Sequence, residues 1–198
     1  MIDIIKLDPL PCILSFITVG LGLLALGFVY NRWQEHLKNT PYTRHYSPMR
    51  AVLQRTSEAQ VSVSKEIISS IGTGFLILLG VEEEDTQEDI SWLVGKISKM
   101  RVFDDSEGKM NLSLHQISGE ALVVSQFTLH ASTKKGNRPS FIKAAQAAQA
   151  KLLYENFCNS LSTEIDKSVG RGEFGAMMEV SLTNDGPVTI VIDSRNRE

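Results

Sequence analysis

The sequence predicts a mixed α/β (α+β) domain, and three patterns carry that prediction. Val52, Gln54 and Thr56, and then Gln60 through Ser64, alternate in the strand sense. Phe75-Leu76-Ile77-Leu78-Leu79-Gly80-Val81 is a continuous apolar run of strand length, as a buried strand requires. Thr86 to Met100 places Ile90, Leu93, Val94 and Ile97 on one helical face.

The first 48 residues differ from the rest. Pro9 to Tyr30 is a run of 22 residues without a charge. As a helix it would rise roughly 33 Å, enough to cross a bilayer core. Arg32, Lys38 and Arg44 follow it, and only Lys6 precedes it. The positive-inside bias then leaves the downstream domain in the cytosol. A second reading stands beside this membrane anchor at residues 9–30. Met49 to Arg55 looks like a natural start, and residues 1–48 are then upstream sequence taken in by choice of start codon. Residues 31–48, with Pro41 and Pro48, read as a linker either way. The expected organisation is an extension over 1–48 and a domain over 49–198.

From Met49 the elements follow in order. The alternating strand leads to a turn at Gly72-Thr73-Gly74 and then to the buried strand. Thr86 and Asp89 have the spacing of a capping box that starts the first helix. Val102-Phe103 begins a short strand, and Asp104 to Gly108 is a turn. Ala121 to Leu129 is strand-like. A long helix is expected from Pro139 to about Ile165, with Ala150, Leu153, Tyr154, Phe157, Cys158, Leu161 and Ile165 as its core stripe. Met178 to Leu182 and Val188 to Ile192 are two final strands around a turn at Thr183 to Pro187.

Composition narrows the function. The net charge of −3 excludes a generic basic nucleic-acid coat protein, so any RNA contact must be local. Two distant cysteines, Cys12 and Cys158, form neither a disulfide framework nor a ligand cluster and fit a reducing compartment. The four histidines lack metal-ligand spacing, so neither a metal nor a cofactor is expected.

Three features could bear chemistry. Ser125-Gln126-Phe127-Thr128 ends an apolar strand with donors and acceptors but no strong base, and Gly-x-Ser-x-Gly is absent. Alone it reads as a strand end with satisfied polar groups. Asn184-Asp185-Gly186-Pro187 is turn chemistry, and alone it reads as an ordinary hairpin turn. Ala121 to Tyr154 contains no acidic residue but holds Lys134, Lys135, Arg138, Lys143 and Lys151. Such a strip holds phosphates, or is a solvated face.

Taken together, these segments resemble the D-aminoacyl-tRNA deacylase family in order and spacing over nearly all of residues 49–192. The match runs through Met49 to Ser57, Ser70 to Val81, Met100 to Phe103, Leu122 to Leu129, Gly136 to Phe141, and Gly172 to Thr189. Glu84, Gln116 and Ser132 depart from common family residues, outside the two motifs. The resemblance implies a small β-barrel-like mixed sheet with flanking helices, and a homodimer. It implies a cytoplasmic hydrolase of translation quality control that cleaves the ester of D-aminoacyl-tRNA, or of glycyl-tRNA mischarged on tRNA-Ala, and rejects L-aminoacyl-tRNA. Catalysis is then assigned to Ser125, Gln126, Phe127 and Thr128, with main-chain N–H groups of Gln126, Phe127 and Thr128 as oxyanion donors. Chiral selection is assigned to a cis Gly186-Pro187 bond projecting into the partner's pocket, and tRNA binding to Lys134, Lys135 and Arg138. The alternative from a different class is a non-catalytic, membrane-tethered tRNA-binding module.

Overall fold

The computed structural model of the chain describes residues 20, 22–33 and 48–196. Two compact units, Met1–His45 and Tyr46–Glu198, are taken separately. In the first, residues 22–33 are helical, and Leu23, Leu24, Leu26, Phe28 and Val29 are all exposed. Most of the expected span over residues 9–30 lies outside the described residues. Among the described residues no helix is long and apolar enough to cross a membrane.

The second unit begins with a long strand, β1 (Arg50–Val63). Ser64 and Lys65, both at positive φ, turn the chain into β2 (Glu66–Ile71). Paired positive φ values are the mark of a primed hairpin turn. It is built here without Asn or Gly, so the sequence shows no signal for it. The expected turn at Gly72-Thr73-Gly74 leads to β3 (Gly74–Gly80), antiparallel to β1. Helix α1 (Gln87–Lys99) starts with the predicted capping box: Asp89 accepts from the Thr86 N–H at 2.9 Å, and Thr86 Oγ1 accepts from the chain. A small hairpin follows, β4 (Arg101–Asp104) with β5 (Met110–Ser113). Strand β6 (Glu120–Ser125) then lies parallel to β3.

Past β6 the structure departs from expectation at three places. The strand stops at Ser125, and Phe127–His130 is a 3-10 turn. The long helix, α2 (Ala147–Ile165), begins eight residues later than Pro139. The intervening segment finds its backbone partners elsewhere: Ser140 pairs with Ser132, and the Ala145 N–H donates to Val81 O at 3.0 Å. A helix there would forfeit both. After the short β7 (Gly170–Arg171), the last two expected strands form a single interrupted strand, β8 (Met178–Asp193), antiparallel to β1 on both sides of the interruption. No hairpin exists there. Gln54 faces Thr189 and Thr56 faces Asn184, so Asp185 to Val188 bulge out of the ladder opposite Arg55 alone.

The strand path is β2-β1-β3-β6-β7, with β8 also on β1. Gly170 of β7 approaches Ser69 of β2 closely enough that a Cβ at Gly170 would meet Ser69 Oγ at 2.5 Å, so the mixed sheet curls into a barrel-like form. Phe75, Ile77 and Leu79 face α1 and α2, meeting Ile90, Leu93, Phe157 and Leu161. Leu76 faces the other way, into a smaller cluster with Val61, Leu122 and Val124. Burial on both faces explains the unbroken apolar run in β3. Each such side chain contributes about 1.5–3 kcal/mol on burial. The Asp85 carboxylate lies buried at the start of α1. It accepts from the Met49 N–H at 3.0 Å and the Glu82 N–H at 2.6 Å.

Candidate active site

The parallel β3–β6 pair delivers the first motif. The Gln126 N–H donates to Leu79 O at 2.8 Å and seats the chain at the end of β3. That bond uses one of the three N–H groups expected to be oxyanion donors. The N–H groups of Phe127 and Thr128 remain. They open the 3-10 turn, where helical geometry gives them no acceptor, and neither has a protein acceptor among the described residues. Both residues are exposed. Two adjacent main-chain donors at an open surface are a small anion hole.

The side chains set the limits of the chemistry. Thr128 Oγ1 accepts from the Gln126 side-chain amide. A neutral amide does not activate a hydroxyl as a nucleophile. His130 is the nearest imidazole in sequence, but it is buried beneath the turn, and its Nε2 has no hydrogen-bond partner among the described residues. Burial pushes its pKa below the ordinary value, against a bond to the Gly80 backbone that raises it. A neutral ring under the turn is not a base at its open face. Gly80 makes room for it: a Cβ there would meet His130 Nε2 at 2.8 Å and Gln126 O at 3.1 Å.

The basic strip sits next to the turn. Ser132 and Ser140 exchange two backbone bonds, 2.8 and 2.9 Å, and pinch off the loop between them. Lys134, Lys135 and Arg138 lie exposed on that loop. Phe141, just past the pinch, packs edge-on against Phe127, with ring centroids 5.1 Å apart. The turn and the base of the basic loop are therefore one packed unit.

The second motif is built around Arg55, which no sequence motif singles out. Arg55 is buried. Its Nε donates to Asp185 O at 3.0 Å and pairs with the Asp185 carboxylate at 3.1 Å. Its Nη1 donates to Val102 O at 2.7 Å. Asn184 closes the neck of the excursion: its Oδ1 accepts from the Val188 N–H at 2.8 Å, and its amide donates to Gln54. Gly186 has φ +119°, and a Cβ on it would meet Arg55 Nη2 at 2.9 Å, so only glycine fits. The Gly186-Pro187 peptide is cis, and both residues are exposed. One signal for Arg55 is present in the sequence. It shares the inward phase of β1 with Ala51 and Leu53, where a charge needs a buried partner.

The two motifs hang from different points of β1. The turn is anchored at the Arg50 end of β1 and the excursion stands opposite Arg55. These two anchor points on β1 are five residues, about 17 Å, apart.

A curled mixed sheet that presents two main-chain donors beside an exposed basic loop, with no exposed histidine in the turn, would suit hydrolysis of an activated ester on a polyanion. A family profile described as D-Tyr-tRNA(Tyr) deacylase matches residues 52–193. The D-aminoacyl-tRNA deacylase of Porphyromonas gingivalis is 59% identical over 150 residues, 76% of this chain and all of that protein. Two solved structures share the fold. One, named c-Myc DNA Unwinding Element Binding Protein, has TM-score 0.69 and 42% identity, covering 73% of this chain and 98% of that one. The other, a probable eukaryotic D-amino acid tRNA deacylase, has TM-score 0.65 and 19% identity with the same coverage. The chain belongs to the D-aminoacyl-tRNA deacylase family.

Proposed function

We propose that the chain hydrolyses the ester joining a D-amino acid to the 3′ end of tRNA, accepts glycyl-tRNA, and rejects L-aminoacyl-tRNA. The observation that carries this reading is the pair of unpartnered N–H groups on Phe127 and Thr128 beside an exposed basic loop. Water adds to the ester carbonyl, and the oxygen that becomes negative is held by those two donors. The carbon–oxygen ester bond then breaks, and the ribose oxygen leaves with a proton. An aminoacyl ester is already activated, so positioning and oxyanion stabilisation suffice. A neighbouring ribose hydroxyl of the tRNA assists the water. Ser125, Gln126 and the Thr128 hydroxyl shape the turn and do not attack. Lys134, Lys135 and Arg138 hold phosphates, and the Phe127–Phe141 pair offers apolar ring surface beside them, the combination that single-stranded RNA ends favour.

Selection by chirality falls to Gly186 and Pro187. Their main-chain carbonyls crowd the place an L side chain would take, and glycine, without a side chain, passes. The separation of about 17 Å along β1 supports a homodimer in which this loop serves the partner's turn. The test is deacylation of D-, L- and glycyl-charged tRNA by the full chain, with Thr128→Ala alongside. The reading expects D and glycyl turnover, little L turnover, and a reduced but real rate for Thr128→Ala. Loss of all turnover in Thr128→Ala, with tRNA binding kept, would instead make its hydroxyl the nucleophile.

A second reading rests on the exposed apolar helix at residues 22–33. It makes the protein a tRNA-binding module held at a cytoplasmic membrane face by residues 9–30. Flotation with anionic lipid vesicles and absence of single-turnover deacylation together favour it.

A further inference from the structure

Arg50 is the first residue of β1 and pairs in register with Asp193, the last residue of β8. Its guanidinium makes three directed bonds. Nε donates to Asp193 Oδ1 at 2.7 Å, Nη2 donates to Asp193 Oδ2 at 3.0 Å, and Nη1 donates to Leu129 O at 3.1 Å. Leu129 lies in the 3-10 turn that opens with the Phe127 and Thr128 N–H groups. We propose that Arg50 is a positioning residue for hydrolysis, with Asp193 as its orienting partner: it fixes the direction in which the turn's two donors point. This rests on the reading of the turn as the oxyanion-binding element.

The geometry separates positioning from mere adhesion. A guanidinium is planar and rigid. Once Nε and Nη2 grip the Asp193 carboxylate in a fork, the direction of the Nη1 donor is set. The Asp193 side chain is 13% exposed and anchored in the β1–β8 ladder, so the fork is tied to the most extensively paired part of the sheet. Beside the buried His130 ring and the Phe127–Phe141 contact, the turn's main chain is held at its head by Gln126 N–H on Leu79 O and at its tail by Arg50 on Leu129 O. Release of the tail frees the Leu129 carbonyl and lets the exposed side of the turn shift within that packing. The donors, on Phe127 and Thr128, lie between the two main-chain anchors at Gln126 and Leu129, and donors act only where the oxyanion will be. The bond between Arg50 and Leu129 is partly solvent-facing, with the Arg50 side chain 35% exposed, so its loss should cost the rate far more than the fold.

Arg50→Lys keeps the charge but cannot fork and reach Leu129 together. In the full chain, single-turnover deacylation of D-charged tRNA by Arg50→Lys and Arg50→Met should slow on the order of 10-fold to 100-fold, the scale of small misplacements of catalytic groups. Binding of uncharged tRNA should stay unchanged. Asp193→Asn, which weakens the fork, should slow the reaction in the same direction by less. Phe127→Pro removes one donor and Phe127→Ala is its control for the lost ring. A wild-type rate in Arg50→Lys while Phe127→Pro falls below Phe127→Ala overturns the role of Arg50 alone. A slow Arg50 variant whose rate returns on cooling in proportion to folded protein also overturns it, since that is a structural effect. Equal rates for Phe127→Pro and Phe127→Ala overturn the reading of the turn itself, and the proposal with it.

Discussion

Replacing Arg55 by methionine removes the cation that holds the Asp185 to Val188 excursion from beneath. Two of its bonds, to Val102 O and Asp185 O, are charge-assisted. Such bonds contribute about 1.5–3 kcal/mol each. The Asp185 and Asp104 carboxylates are 51% and 50% exposed, so their ion pairs with Arg55 are screened. They add less than about 1 kcal/mol each. The lower end of the range suits the Asp185 bond, because that residue is exposed. The fold should then lose about 3 kcal/mol, which lowers Tm by roughly 6–12 °C in a domain of this size. The share that falls on the loop, about 1.5 kcal/mol, is a factor of about 10 in how often the loop occupies its held position. Discrimination between D- and L-charged tRNA should fall by about that factor, mostly through faster L hydrolysis. Initial deacylation rates on both substrates, taken well below the new Tm, measure it. A lowered Tm with an unchanged D-to-L ratio would refute the reasoning, because Arg55 would then support the fold without setting the loop.

Other outcomes follow from the same geometry. Changing Lys134, Lys135 and Arg138 together to Gln should weaken tRNA binding, and should flatten the plot of log K against log salt by about 0.7 for each phosphate no longer neutralised. An unaltered slope assigns the phosphates to another surface. Gly80→Ala drives a methyl group into His130 and Gln126 O beneath the turn, so kcat should fall while a melt still shows one cooperative transition. Full kcat in Gly80→Ala would mean that the turn tolerates being lifted. Desolvation pushes the buried Asp85 carboxyl up to about 7, only partly offset by its bond from the Glu82 N–H. Unfolded, it titrates near 3.9. Between those values the folded chain binds a proton that the unfolded chain does not, so this group's contribution to stability is present in acid and is lost as pH rises toward 7. A chain starting at Met49 would place an ammonium where a neutral N–H now meets Asp85 at 3.0 Å. Opposite charge lowers a carboxyl pKa, so stability from pH 4 to 7 should fall in the full chain and stay level or rise in residues 49–198. Equal slopes in urea titrations of the two chains would contradict this.

Much of the architecture is legible from local pattern. The Phe75 to Val81 run, the helix capped by Thr86 and Asp89, and the stripe from Leu153 to Ile165 all appear as read. The failures share a cause, which is competition from partners distant in sequence. Pro139 to Gln146 carries residues a helix accepts, but Val81 and Ser132 offer its backbone other bonds. Asn184 to Pro187 has the composition of a hairpin turn. It becomes an excursion from a continuing strand because β1 pairs with both flanks. The expected set of oxyanion donors includes the Gln126 N–H, and Leu79 O takes it instead.

The candidate site divides along the same line. Ser125 to Thr128, Gly186-Pro187 and the acid-free basic strip are local strings, and their order along the chain is enough to point to a family. By itself the sequence determined the apolar periodicities, the capping box and the chemical kinds of group at hand. Those depend on residues within a turn or two of one another. Only the tertiary structure decided which N–H groups stay free, that Arg50 grips the end of one motif and Arg55 the other, and that these two anchors stand about 17 Å apart along β1. These are matters of register and of long-range hydrogen bonding. A one-residue shift of β8 on β1 would part Arg50 from Asp193 and Arg55 from Asp185, and a shift of β6 on β3 would free the Gln126 N–H, without altering a letter of the sequence.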